Sequence, residues 1–336
     1  MKTARVTGVR EVEIVSVPEP DPLEDWVKVK IEAAPMCTEY KAWEAGRSTL
    51  MGHEAAGKVV ETANAENVAV GDRVVVMPQY PCGSCELCRN GDYIHCEHNH
   101  DYTSFTGQDS GQETMAQYML KQAWMLVPIP DHLSYAHAAM ACCGVGPTFG
   151  ANERMNVGER DSVLISGGGP VGLGGVITTT HRGARVIVSE PTEYRADLAR
   201  ELGADVVVNP LETDESELAS LTDGVGVDKA IECSGIPSAQ EFAIRALTRR
   251  GEMTFVGEGG GFELQVSKHV LRKGISLHGQ WHYNRELASR VMDTIDANQQ
   301  KLNTFITHEF PLREIGDAFA LQSEKRTGKV VLHPWA

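Results

Sequence analysis

Four of the chain's eight cysteines fall between positions 82 and 96, as Cys82, Cys85, Cys88 and Cys96. Spaced Cys-x2-Cys-x2-Cys-x7-Cys, they offer four thiolates at intervals that suit a closed tetrahedral zinc site. The rival is an iron–sulfur cluster, whose bacterial signature ends Cys-x3-Cys-Pro. Here seven residues separate the last pair and no proline follows, so the spacing favours zinc. A closed set of four thiolates leaves no position for a substrate, and this metal is expected to be structural. His95, His98 and His100 lie close by and read as solvated loop histidines.

A second chemistry is written in Ser166-Gly167-Gly168-Gly169-Pro170-Val171-Gly172. An apolar run, Val163–Ile165, enters this cluster, and a helix of small and apolar residues, Leu173–Thr179, leaves it. In the G-x-G-x-x-G spacing Gly167 permits the tight turn, Gly169 lets the backbone approach a pyrophosphate, and Gly172 lets helix and strand pack closely. The helix N-terminus then offers free N–H groups to the phosphates. Such a pattern alone is more often an ordinary loop, but its context argues for a nucleotide. A second strand, Ala184–Val188, ends at Ser189-Glu190, where a carboxylate can hold the ribose hydroxyls. Pro170, Val171 and the later Gly257 are expected cofactor contacts as well. Glu190 favours NAD over NADP, because it accepts bonds from both hydroxyls and repels a 2′-phosphate. Arg195 complicates the preference, since a guanidinium can bind that phosphate.

Further donors stand singly: Cys37 in Pro35-Met36-Cys37-Thr38-Glu39-Tyr40, the pair His53-Glu54 between glycines, and Cys142-Cys143. A lone cysteine is more often a small buried hydrophobe than a ligand. A lone histidine also reads as structural.

The elements that must position these residues follow from hydrophobic period. Residues 1 to 35 alternate apolar and polar side chains around a corner at Pro18, Pro20 and Pro22, which predicts strands joined by a turn, with Cys37 just past their end. Strand patterns continue at Lys58–Glu61, Val74–Val76, Ala116–Met119 and Trp124–Val127, and a short helix, Tyr135–Ala141, delivers Cys142 and Cys143. After the glycine turn, strands and helices alternate to Ser276–His278, which implies a parallel, doubly wound sheet. From about residue 283 the pattern changes to a helix, Arg285–Ile295, a strand, Phe305–Glu309, a helix near Ile315–Ser323 and a strand, Lys329–Leu332. That tail is expected to rejoin the first region.

Size and charge set bounds. A chain of 336 residues is about two domains long and buries a core without disulfide staples. The net charge of −15 and a pI near 5.3 argue against a nucleic-acid or anionic-membrane surface. The N-terminus lacks an apolar leader, and no apolar run reaches the eighteen or so residues of a membrane span. A cytoplasmic protein is expected, and in a reducing compartment the crowded cysteines bind metal rather than pair.

Taken together, Cys37, Gly52-His53-Glu54, the four-cysteine array, Cys143 and the glycine turn make the chain resemble zinc-dependent alcohol dehydrogenases of the medium-chain dehydrogenase/reductase family along essentially its full length. The resemblance implies a GroES-like β-barrel catalytic domain over residues 1–145 with a structural zinc lobe at 82–96. It further implies a Rossmann NAD-binding domain over 146–282 and a C-terminal segment, 283–336, that completes the catalytic domain. It implies two zinc ions per chain, the catalytic one held by Cys37, His53 and Cys143, with Glu54 beside it as outer partner or exchangeable ligand. Two thiolates and an imidazole leave a fourth position open, where an alcohol is acidified and gives up hydride to the cofactor more easily. Reduction is the same path backwards. Stretches such as Ile187-Val188-Ser189-Glu190-Pro191 and Thr327-Gly328-Lys329-Val330-Val331 look most like the polyol and threonine dehydrogenase branch. They point to a secondary alcohol carrying further hydroxyl or amino groups, or its ketone, as the small-molecule partner of a homodimer or homotetramer. Two rivals remain: a non-enzymatic NAD- or zinc-sensing protein on this fold, and a zinc-free quinone or enoyl reductase, which would normally lack these ligands.

The chain departs from that pattern at Glu39. Two residues after the first zinc ligand the relatives carry serine or threonine, whose hydroxyl passes the alcohol proton outward. A carboxylate there can accept the proton or bind a substrate amine or hydroxyl. The alternatives are that Glu39 turns to solvent or pairs with Lys41, or that a loop shifted by one residue lets Thr38 serve.

Overall fold

Strands form where the alternation of apolar side chains finds cover on one face, and a strand covered on both faces is buried throughout. The computed structural model describes residues 1–48 and 50–336, with the backbone alone at 215. The chain divides into two units, Met1–Gly144 with Asn284–Gln299 and Ile306–Ala336, and Val145–Tyr283 with Gln300–Phe305.

In the first unit the strands are β1 (Lys2–Gly8), β2 (Glu11–Ser16), β3 (Trp26–Pro35), β4 (Ala55–Thr62), β5 (Arg73–Val76), β6 (Tyr118–Gln122) and β7 (Leu126–Pro128). The second unit holds β8 (Ser162–Ser166), β9 (Arg185–Ser189), β10 (Val206–Val208), β11 (Val227–Glu232), β12 (Leu247–Phe255) and β13 (Ser276–Gly279). The tail returns β14 (Ile306–Pro311) and β15 (Lys329–His333) to the first unit.

The first unit's main sheet runs β14-β15-β3-β4-β5-β7, with β6 also paired to β3. β3 sits at its centre and is buried along nearly all its length, Val27, Val29 and Ile31 being fully covered. Because β15 pairs antiparallel with the last residues of β3, Leu332 opposite Ala34, the tail lies beside the strand that leads into Cys37. Trp26, stacked on Tyr80 with ring centroids 5.2 Å apart, anchors the aromatic side of this core.

In the second unit six parallel strands run in the order β10-β9-β8-β11-β12-β13. The order reverses between β8 and β11, and in such sheets ligands bind outside the carboxyl ends of the strands at that switch point. β8 is the strand that feeds the glycine turn, so the predicted doubly wound sheet and the predicted nucleotide turn meet at one place. The helix after the turn begins at Pro170 rather than Leu173 and runs to His181. Proline fits a first helical turn because its missing N–H would have had no partner there.

Several elements differ from the sequence reading. The helix Gly146–Arg154, with Pro147 in its first turn, was not anticipated; it packs polar groups inward, Asn152 donating to Thr178 and Thr179 at 3.1 Å each. The expected helix over 285–295 is a 3-10 turn, Arg285–Leu287, followed by an α-helix, Ala288–Ala297. Residues Trp124 and Met125 lie in a 3-10 turn, and only Leu126 onward is strand. Among the described residues no helix is long and apolar enough to cross a membrane.

Candidate active site

Within the described residues two groups of side chains present donor atoms all within 4.8 Å of one another: Cys82, Cys85, Cys88 and Cys96, and Cys37, His53, Glu54 and Cys143. Both fit a metal by their chemistry, the first as four sulfurs, the second as two sulfurs, an imidazole and a carboxylate.

The first group is built by its own loop. Backbone N–H groups of Cys82, Cys85, Cys88 and His98 point at the sulfurs of Cys96, Cys82, Cys85 and Cys96 at 3.4–3.5 Å. Such donors stabilise thiolates, and although desolvation opposes it, those from Ser84 and Cys85 pull Cys82 down to about 5. Cys88 is pushed up by burial and by its sulfur neighbours, as expected where one cluster must share negative charge without a cation.

The second group is assembled from separated segments. Cys37 follows β3, His53 and Glu54 precede β4, and Cys143 follows the helix Tyr135–Ala139. Cys143 Sγ lies 3.3 Å from His53 Nε2. The other imidazole nitrogen, Nδ1, meets Glu39 Oε1 at 2.8 Å. Glu39 Oε2 accepts the N–H of Cys37 at 2.8 Å. The Glu39 carboxylate is therefore buried behind His53, with both oxygens engaged, and neither faces solvent nor pairs with Lys41. A carboxylate on the far nitrogen of a ligating histidine fixes its tautomer and ring orientation. Thr38 is exposed. The His53 side chain keeps 40% of its surface exposed, so one face of the group is open.

Electrostatics follow the same geometry. The hydrogen bond from Cys143 holds Cys37 well below its ordinary value against the opposing effect of burial. That bond and burial raise Cys143. Burial pulls His53 down, but Glu39 and Cys37 outweigh it and raise the imidazole well above its usual range. Glu54 is fully buried; burial lifts it to about 7 against the pull of Lys329. Cys142, the neighbouring cysteine, turns away: its thiol points at the carbonyl of Val76, and burial pushes it up to about 12.

Two residues that brace this group escaped the sequence reading. Lys329 Nζ lies 2.6 Å from Glu54 Oε1, both side chains wholly buried. Gln322 donates its amide to the carbonyl of Cys37 at 2.7 Å. The available signal was a lysine opening the apolar run Lys329-Val330-Val331-Leu332, where a cation on a covered strand demands a buried partner.

In the second unit the glycine turn has the expected shape. Gly167 sits at φ +98°, a conformation side chains rarely adopt, and a Cβ at Gly172 would collide with the carbonyl of Gly167. Gly169 caps the helix, Pro170 and Val171 open it, and the carboxylate of Glu190 accepts the N–H of Gly168 at 2.7 Å and of Thr192 at 2.8 Å. Glu190 is thus held at the turn. A guanidinium nitrogen of Arg195 lies 4.0 Å from where a Cβ of Gly169 would stand. Gly257 follows β12, its N–H on the carbonyl of Glu232 at 2.8 Å. In residues 281–284, Trp281 is exposed, His282 and Tyr283 are buried and stacked, and Asn284 bonds Asn90 and Asp92 beside the cysteine lobe.

Comparison with known proteins gives the family. Residues 23–131 match the alcohol dehydrogenase GroES-like domain, and residues 170–297 match the zinc-binding dehydrogenase family. The L-threonine 3-dehydrogenase of Pyrococcus abyssi is 33% identical over 348 aligned residues, covering 98% of this chain and 97% of that one. The chain belongs to the zinc-binding alcohol dehydrogenase family. It is similar as well to the sorbitol dehydrogenase of Bacillus subtilis, 29% identical over 99% of this chain and 97% of that one. Among solved structures the 2R,3R-butanediol dehydrogenase from Bacillus subtilis superposes with a TM-score of 0.85 at 27% identity over 99% of both chains. This alcohol dehydrogenase is a zinc-binding, NAD(P)-dependent oxidoreductase of the polyol and threonine dehydrogenase branch.

Proposed function

We propose that the protein oxidises a secondary alcohol bearing a neighbouring hydroxyl or amino group to the ketone, or reduces the ketone, with NAD preferred over NADP. The observation that carries the reading is the group Cys37, His53 and Cys143, three donors gathered with one face open. Zinc held by these three supplies a Lewis acid that lowers the pKa of an alcohol and favours departure of its hydride. The chain's own residues do the rest. Glu39 orients His53 and ties down the N–H of Cys37, and Gln322 ties down its carbonyl. In the second unit the N-terminus of Pro170–His181 would offer free N–H groups to cofactor phosphates, and Glu190, each of whose oxygens already accepts one backbone N–H, would turn its remaining lone pairs to the ribose hydroxyls. The substrate class is supported by relatives whose names are threonine, sorbitol and butanediol dehydrogenase.

The four-cysteine lobe is read as a second, structural zinc site. Glu39 is read as a positioning group for His53 in place of a proton acceptor, because both its oxygens are already engaged. We also propose a homodimer or homotetramer, with the outer edge of β13, last in its sheet, as a candidate contact; sedimentation equilibrium tests it. A screen of polyols, amino alcohols and sugars for NADH formation tests the activity. Turnover confined to simple primary alcohols, or none, would overturn the substrate reading.

A further inference from the structure

Glu54 presents an unusual arrangement for a carboxylate next to a metal-donor group. Its Oε1 lies 2.6 Å from Lys329 Nζ, and its Oε2 accepts the N–H of Cys143 at 3.1 Å. Both side chains of the pair are wholly buried. Yet a carboxylate oxygen of Glu54 also stands within 4.8 Å of the donors of Cys37, His53 and Cys143, near enough to become a fourth ligand. An anionic oxygen beside a divalent cation binds it well. Two arrangements therefore compete for one carboxylate. In one it rests on Lys329 and the Cys143 N–H; in the other it closes the position a substrate needs.

What decides between them is how firmly the ammonium is placed. Lys329 opens β15, and this strand is paired on one side with β14, Ile306 opposite Lys329, and on the other with β3. Val330, Val331 and Leu332 after it are fully buried. The backbone that carries Lys329 is thus locked into the sheet, and its buried side chain cannot withdraw to solvent. A buried charge left without its partner is costly, so the ammonium keeps hold of the carboxylate.

We propose that Lys329 is a positioning residue: by occupying one oxygen of Glu54 it keeps that carboxylate off the metal and so leaves the fourth coordination position to the substrate. This rests on the ligand set Cys37, His53 and Cys143 proposed above. It goes further by giving the C-terminal strand a part in keeping the site open, through a residue that is 275 positions from its partner in sequence.

The test uses the full-length protein loaded with cobalt(II), whose visible d–d bands report coordination number, titrated with imidazole as a small ligand for the open position. Wild type and Glu54→Gln are expected to share the same resting d–d bands and the same imidazole affinity. Lys329→Met should shift its bands towards higher coordination and bind imidazole at least about tenfold more weakly, since the competent state becomes the minor one. Adding Glu54→Gln to Lys329→Met should restore both, because the amide competes poorly for the metal. The inference is overturned if Lys329→Met binds imidazole as wild type does, or if Glu54→Gln alone changes the resting bands. If Lys329→Met does not fold, the double variant, which removes both buried charges, carries the test: wild-type bands and affinity there support the inference, and weakened imidazole binding overturns it. The imidazole-sensitive bands must vanish in Cys37→Ser; should they survive, the ligand set is wrong and the failure is not that of Lys329.

Discussion

The two donor groups of the first unit are made in opposite ways. Cys82, Cys85, Cys88 and Cys96 come from one short loop, and the groups that steady their sulfurs are that loop's own N–H groups. Cys37, His53 and Cys143 come from three separate segments and are braced by Glu39, Gln322 and Lys329, the last two from the far end of the chain. The local group closes around its centre with four equivalent donors. The assembled group mixes donor types and leaves a face open. Closure suits a part whose work is to hold a lobe together, whereas an open face held by distant braces suits one that must admit a ligand without losing its shape.

The difference can be broken by substitution, and the largest effect should fall on the local group. Cys88→Ser removes one of four sulfur donors, and loss of a structural metal is among the few single changes expected to cost more than about 4 kcal/mol. Urea unfolding followed by circular dichroism should show the loss. A melt like that of wild type would mean the lobe does not depend on its metal.

Next in size is Glu39. Removing a carboxylate that orients a ligating histidine typically costs about 10–100-fold in metal affinity or activity. Glu39→Gln should therefore lose catalytic zinc to a chelator faster than wild type and lower turnover by that order, while Thr38→Ala changes both less. If Glu39→Gln retained zinc and turnover as wild type does, the brace behind His53 would have no function.

A smaller effect is expected in the second unit. With Glu190 at the turn, kcat/KM should favour NAD over NADP by at least about tenfold, the cost of placing a phosphate against a carboxylate. Equal efficiencies would assign the site to Arg195 instead.

Smallest is the pH dependence of the metal-free protein. His53 is raised in the folded state, so its contribution to stability is complete below the ordinary imidazole range and fades as pH rises through its folded value. Glu39 is lowered, the pull of His53 outweighing its burial, so its contribution is present above the ordinary carboxylate range and is lost as pH falls through its folded value. Stability from this pair should peak between about pH 5 and 6.5, and urea midpoints across that range, with His53→Ala as the flat control, check it.

How far each region could be read from sequence follows from the same contrast. The gathering of Cys82, Cys85, Cys88 and Cys96 was legible because the four sulfurs and the N–H groups that steady them share one loop, and spacing alone encodes it. The parallel sheet and its glycine turn were legible because period and turn chemistry are local; Gly167 and Gly172 answer to backbone constraints a few residues away. At the assembled group only the donors could be named, through resemblance. The orientation of Glu39 could not be read, since a carboxylate two residues after Cys37 can point either towards or away from His53. Gln322 gave no signal, and Lys329, though a lysine opening an apolar run, could not be assigned to Glu54, because the partners of these two residues stand 285 and 275 positions away.

The most direct test of two separable centres is the zinc content of purified wild type, His53→Ala and Cys88→Ser, measured alongside turnover and unfolding. Two zinc ions per chain are expected in wild type. His53→Ala should keep one zinc, near-normal unfolding and no appreciable turnover, while Cys88→Ser should lose its lobe zinc together with its stability. A single zinc in the wild-type protein, iron in place of zinc, or a His53→Ala variant that still turns over alcohol would contradict the account.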